Sequence, residues 1–147
     1  MALTIPDEYK DRVILVVEDT NMMRVLMTRY LSQAGFRNVL ECVNGQEALD
    51  LLRSQKVDLV LLDIQMPVLD GYETLEAVKK DESLCEIPVI MITAVEKIES
   101  IAKCIEIGAV DYMPKLFNPI LLNCRILSCL ENQHLKRQLK ELTATSK

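Results

Sequence analysis

The chain has 147 residues, half of them hydrophobic, which suffices for one domain with a buried core and excludes a disordered composition. Its net charge of −5 argues against direct nucleic-acid binding, which needs a basic face, and no apolar run reaches the length of a membrane span. Five scattered cysteines, no CxxC pair and a single histidine, His134, argue against a disulfide framework or a zinc site and fit thiols in a reducing cytoplasm.

Residues 1–10 read as a polar tail without an apolar signal core, 11–131 as the domain, and 132–147 as an extension of its last helix. Residues 13–17, VILVV, form a β-branched run that predicts a buried strand, and it ends in two adjacent acids, Glu18 and Asp19. Thr20 or Asn21 can cap the next helix, where Met23, Met27, Tyr30, Leu31 and Ala34 recur at helical spacing before Gly35. Residues 39–43, VLECV, are a second strand. Asn44 and Glu47 make a capping-box-like pair ahead of a helix whose core face is Ala48, Leu51 and Leu52. Residues 57–62, VDLVLL, are a third strand, and Asp63, Pro67, Asp70 and Gly71 lie in the loop after it. Leu75 and Val78 mark a helix to Lys80. A fourth strand, PVIMI at 88–92, has proline at its start and ends in Thr93. Ile98, Ile101, Ala102 and Ile105 form a helical stripe closed by Gly108, with Glu99 and Lys103 placed to pair on the outer face. A fifth strand, AVDYM at 109–113, ends at Pro114 and Lys115, and Asn118 with Pro119 opens the last helix. Strands alternating with helices predict a doubly wound parallel α/β sheet, helices on both faces.

The polar residues fall at the strand ends. In a parallel sheet Glu18, Asp19, Asp63, Thr93 and Lys115 would share the carboxyl edge, where ligands bind. Three close carboxylates need a cation among them. An all-oxygen set at an open site favours Mg²⁺, and Lys115 balances part of the remaining charge. A carboxylate beside Mg²⁺ can attack a phosphoryl group, and the Thr93 hydroxyl and Lys115 can each hold one of its oxygens. Taken singly, each residue has a plainer reading: Asp63 as a turn cap, Glu18 and Asp19 as acids near a helix N-terminus, Thr93 as a strand-end hydroxyl, Lys115 as a solvated charge.

The segments VILVVEDTNMMR, LVLLDIQMPVLDG, PVIMITA and DYMPK, in this order and spacing, resemble the receiver domain of bacterial two-component response regulators, over residues 12 to 130. The resemblance implies a flavodoxin-like sheet of strand order 2-1-3-4-5, with Asp63 as phosphoacceptor. It implies Asp19 as a direct Mg²⁺ ligand, Glu18 acting through metal-bound water, and the Gln65 main-chain carbonyl completing the protein ligands. Thr93 and Tyr112 would be the switch pair, changing the surface of helix four, strand five and helix five. Pro67 and Gly71 serve loop geometry. The partners implied are a histidine kinase or phosphotransfer protein and an output domain or effector, in the cytoplasm. One departure stands out: the family has proline after the lysine, with a cis peptide, whereas here Leu116 follows Lys115, where a cis bond would cost roughly 3 kcal/mol. Gln65 and Val95 occupy the family's turnover-tuning positions, and an apolar Val95 cannot orient a water, so slow or moderate dephosphorylation is expected.

Other functions fit less well. An aspartate-nucleophile phosphatase of the haloacid dehalogenase type needs a second aspartate where Gln65 stands. A dinucleotide or flavin site needs a glycine-rich loop that Gly35, Gly45, Gly71 and Gly108 do not make. A pseudo-receiver serving only protein contacts would not need the intact acid and lysine set. The last helix runs on past the domain, with Asn132, Leu135, Leu139 and Leu142 at 3-4 spacing. It reads either as a charged helix end or as a signalling helix or contact between two copies of the chain.

Overall fold

The apolar β-branched runs become strands and the periodic segments between them become helices. The computed structural model describes residues 4–94, 98–115 and 118–145. Its elements are β1 (Val13–Val17), α1 (Asn21–Ala34), β2 (Asn38–Cys42), α2 (Gly45–Ser54), β3 (Leu59–Leu62), α3 (Gly71–Lys80), β4 (Val89–Thr93), α4 (Ile98–Ile107), β5 (Asp111–Pro114) and α5 (Pro119–Thr145). The strands form one parallel sheet in the order β2-β1-β3-β4-β5. This is the architecture expected above, with boundaries shifted by one or two residues.

The central strands are buried on both faces because successive side chains alternate between two apolar layers. Leu15, Val17, Val60, Leu62 and Met91 pack with Ala48 and Leu52 of α2, Leu75 and Val78 of α3, and Cys104 of α4. Ile14, Val16, Leu59, Leu61, Ile90 and Ile92 face the other way, onto Met27 and Leu31 of α1 and Leu122, Ile126 and Leu130 of α5. Helix starts follow their caps. Asn44 Oδ1 accepts the Glu47 N–H at 2.9 Å, and Asp70 and Glu73 form a full capping box that starts α3. Asn118 Oδ1 accepts the Ile120 N–H at 2.8 Å at the head of α5.

Two expectations need correction. Residues 4–10, the described part of the expected polar tail, are tied to the domain: Ile5 and Tyr9 are 2% and 4% exposed, packed into the α1/α5 layer, and a 3₁₀ turn spans Asp7–Tyr9. Ile5 and Tyr9 stand among Thr4, Pro6, Asp7, Glu8 and Lys10 without a longer periodic pattern, so the segment carries no helix or strand signal, yet both pack into that layer. The α4 stripe predicts the helix but not its orientation. Ile98 and Ile105 are 82% and 48% exposed, and only Cys104 of α4 is buried. Lys103, foreseen beside Glu99, lies 4.2 Å from the Tyr72 ring centroid. Among the described residues, no helix is long and apolar enough to cross a membrane.

Candidate functional site

The three inner strands β1, β3 and β4 and the edge strand β5 each deliver polar residues to the carboxyl edge, and backbone bonds continue the ladder past the strands to fix their level. The Glu18 N–H donates to the Cys42 carbonyl at 3.1 Å, the Asp63 N–H to Val17 at 3.2 Å, and the Lys115 N–H to Thr93 at 3.0 Å. The loop after Asp63 is held just as closely. Gly71 donates its N–H to the Ile64 carbonyl at 2.8 Å. A Cβ at that position would stand 2.3 Å from the Asp63 carbonyl oxygen, so only glycine admits this approach of α3 to the strand end. Between them, Pro67, Val68 and Leu69 form a tight turn, with Leu69 N–H donating to the Pro67 carbonyl at 2.8 Å.

Glu18 and Asp63 are 1% and 2% exposed, whereas Asp19 faces solvent. Lys115 Nζ lies 3.0 Å from Glu18 Oε1 and 3.0 Å from Asp63 Oδ2. The first contact is also a hydrogen bond; the second is an ion pair that leaves Asp63 Oδ2 buried without a hydrogen bond. Asp63 Oδ1 accepts a long bond from the Gln65 N–H, at 3.4 Å. Carboxylate oxygens of Glu18, Asp19 and Asp63 lie within 4.8 Å of one another.

The electrostatics follow from that crowding. Burial pushes the Glu18 carboxyl up to about 7; hydrogen bonding to Asp63 adds to this, and Lys115 opposes it in part. Burial pulls the Lys115 ammonium down, but the Asp63 and Glu18 carboxylates outweigh it, so it stays above the ordinary lysine value. One ammonium does not neutralise three carboxylates. The all-oxygen set of three carboxylates, with one ammonium among them, fits a small hard divalent cation such as Mg²⁺.

Thr93 is fully buried at the end of β4, in register with Pro114, and Tyr112 is half-buried on β5 in register with Met91. Gln65 and Pro67 are exposed in the loop beside Asp63. The structure thus gathers Glu18, Asp19, Asp63 and Lys115 into direct contact range, with Thr93 at the same edge. Val95 and Leu116 lie outside the described residues.

Sequence reasoning passed over Arg24. Its Nη1 donates to the Glu18 carbonyl at 2.8 Å and its Nε lies 3.3 Å from Glu41 Oε1, with the side chain 14% exposed. It braces the turn that carries Glu18 and Asp19. A signal existed: a cation in the first turn of a helix opposes the helix dipole and so points to an acidic or carbonyl partner.

The family model "Response regulator receiver domain" matches residues 14–126. A curated relative named "Probable transcriptional regulator ycf27", from Guillardia theta, is 38% identical over 128 residues, covering 87% of this chain and 48% of the relative. Among solved structures, chemotaxis protein CheY4 of Vibrio cholerae superposes with a TM-score of 0.76 at 27% identity, covering 81% of this chain and 98% of that one. NtrX from Brucella abortus gives a TM-score of 0.82 at 32% identity, covering 90% of this chain and 30% of that one. The chain spans 45% and 48% of the length of two of the curated relatives it matches, and 31% of a third.

Proposed function

The chain belongs to the response regulator receiver domain family, and from that premise we propose that it is a phosphorylation-dependent signalling switch with Asp63 as the phosphoryl acceptor. The observation that carries this reading is the buried Asp63 Oδ2, 3.0 Å from Lys115 Nζ and without a hydrogen bond. A histidine kinase or phosphotransfer protein supplies the group. Asp63 Oδ2 forms a bond to phosphorus as the bond from phosphorus to the donor imidazole nitrogen breaks, and that nitrogen keeps the electron pair and takes a proton from solvent. Lys115 and the Thr93 hydroxyl hold two of the transferred oxygens. Mg²⁺ would be held directly by Asp19, Asp63 and the Gln65 main-chain carbonyl, with Glu18 acting through a bound water; it would neutralise charge on the phosphoryl group. The chain's own chemistry is then confined to accepting and losing this group. Gln65, standing where a phosphatase of this type needs an acid, supports that limit.

The readout assigned to this site runs through Thr93 and Tyr112 to the α4–β5–α5 surface and on to an output domain or effector. The α4 surface supports it: Ile98 and Ile105, two helical turns apart on one stripe, are 82% and 48% exposed. Isoleucines turned to solvent on one side of a helix suit a surface that meets a partner. The five free cysteines agree with a cytoplasmic setting.

Intact-mass measurement after treatment with acetyl phosphate and Mg²⁺ tests the acceptor. The wild type should gain one phosphoryl mass, and Asp63→Asn should gain none. No gain in the wild type overturns the switch reading, and a gain that persists in Asp63→Asn moves the acceptor elsewhere.

A further inference from the structure

A groove of about 1090 Å³ runs along the amino edge of the sheet, at the opposite end of the strands from Asp63. One wall is α5, and the other is the segment 83–88 that joins α3 to β4. The outer part of α5 is tied to the domain beside it. Gln133 Nε2 donates to the Asp58 carbonyl at 2.9 Å, Arg137 Nη2 lies 3.6 Å from the buried Asp58 Oδ1, and Lys140 pairs with Glu86. Nearer the start of α5, Arg125 Nη1 lies 2.8 Å from Asp111 Oδ1.

These contacts give each of the acids Asp58, Glu86 and Asp111 a cation, and cations are left over. Lys79 and Lys136 line the same groove, and among the described residues neither has an ion-pair partner. Lys79 Nζ is fixed by the Cys85 and Ile87 carbonyls, at 3.0 and 3.1 Å, so one of its three N–H groups remains for another acceptor. Burial pulls the Lys79 ammonium down; the Cys85 and Cys129 thiols oppose this, and the nearby Lys136 charge adds to it. A half-buried ammonium facing a second ammonium, with no carboxylate against either, is stabilised by a bound anion. In a chain of net charge −5 this is a local reversal of sign. Leu139, about one turn beyond Lys136 and 65% exposed, adds apolar surface to the same wall, and the buried Leu84 lines the groove as well.

We propose that this groove binds a small organic phosphate, with the phosphate between Lys79 and Lys136 and the apolar body against Leu139 and Leu84. A phosphate monoester suits the two ammonium groups better than a carboxylate, because it carries more charge and a third oxygen. The volume admits a ligand of nucleotide size. Lys79 is on α3 and Lys136 on α5, so the ligand would fasten the extension of the last helix to the domain, beside the Asp58 and Glu86 contacts. The site is separate from Asp63 and does not depend on its phosphorylation.

The test titrates 1-naphthyl phosphate into the full chain without Mg²⁺ and follows fluorescence anisotropy; the chain has no tryptophan, so the naphthyl emission is read cleanly. Binding should saturate and be about tenfold tighter than that of 1-naphthoate. Lys136 is exposed, so Lys136→Glu keeps its fold, as circular dichroism would verify, and it should weaken binding about tenfold. Lys79→Met should act in the same direction. Lys80→Met, at an exposed lysine outside the groove, should leave binding unchanged, and so should Asp63→Asn. No saturation at millimolar probe, equal binding of 1-naphthoate, or indifference to both Lys79→Met and Lys136→Glu overturns the proposal. Loss of binding in Asp63→Asn places the probe at the other edge and overturns it too. Loss of phosphorylation in Asp63→Asn with 1-naphthyl phosphate still bound leaves it standing.

Discussion

Val68 has φ of 71°, in the left-handed region, at the centre of the Pro67–Leu69 turn. A β-branched residue there is strained by about 1–3 kcal/mol. Its side chain is 80% exposed and so has no packing to compensate. Val68→Gly removes that strain and adds about 0.5–1 kcal/mol of unfolded-state entropy. A net stabilisation of about 1 kcal/mol is expected in urea unfolding, and destabilisation would show that the turn is relaxed with valine. The turn sits between Asp63 and Gly71.

At the scale of the element, α4 separates periodicity from burial. Ile98, Ile101, Ala102 and Ile105 recur as a core-facing helix would require, yet it is Cys104 that is buried in the core, with Ile107 packed against it. Ile105→Gln should therefore change the stability of the domain by less than about 0.5 kcal/mol, whereas Leu75→Ala, fully buried in α3, should cost about 3 kcal/mol. Equal losses in thermal or urea unfolding would place α4's stripe in the core after all. Helix α3 gives the opposite lesson. Asp70 looked like an ordinary loop residue, but its carboxylate and Glu73 close a capping box, and the cap, more than the apolar spacing, starts the helix beside the site.

For the whole molecule, the five cysteines sample both layers and the surface. Cys42 and Cys104 are buried, Cys85 and Cys129 half-buried, and Cys124 exposed. Burial pushes the Cys42 and Cys129 thiols up to about 11 and raises Cys104 as well, so little thiolate forms at mildly alkaline pH and reactivity drops further. Alkylation followed by mass spectrometry should mark Cys124 first. Cys42 and Cys104 should react only as the domain unfolds, at rates that follow global stability. Fast labelling of Cys42 in the native protein would contradict the two-layer core. The same layering explains how an acidic chain keeps Glu18 and Asp63 buried at one edge: the apolar layers on either side exclude water, and Lys115 supplies the local counter-charge.

The sequence by itself determined the alternating strands and helices, and through them the carboxyl edge on which Glu18, Asp19, Asp63, Thr93 and Lys115 would fall. These are local properties: β-branched runs, helical spacing and caps act within a few residues of one another. Only the tertiary structure decided the distances, because Glu18, Asp63 and Lys115 sit on strands far apart in the chain and meet through strand order and register. It also decided which apolar faces are covered. Ile5 and Tyr9 are buried because they pack with residues of α1 and α5, and Ile98 and Ile105 of the α4 stripe face solvent among the described residues. Arg24's bracing of the Glu18 turn and the docking of α5 on Asp58 and Glu86 belong to the same class, since each joins residues whose proximity no local pattern encodes.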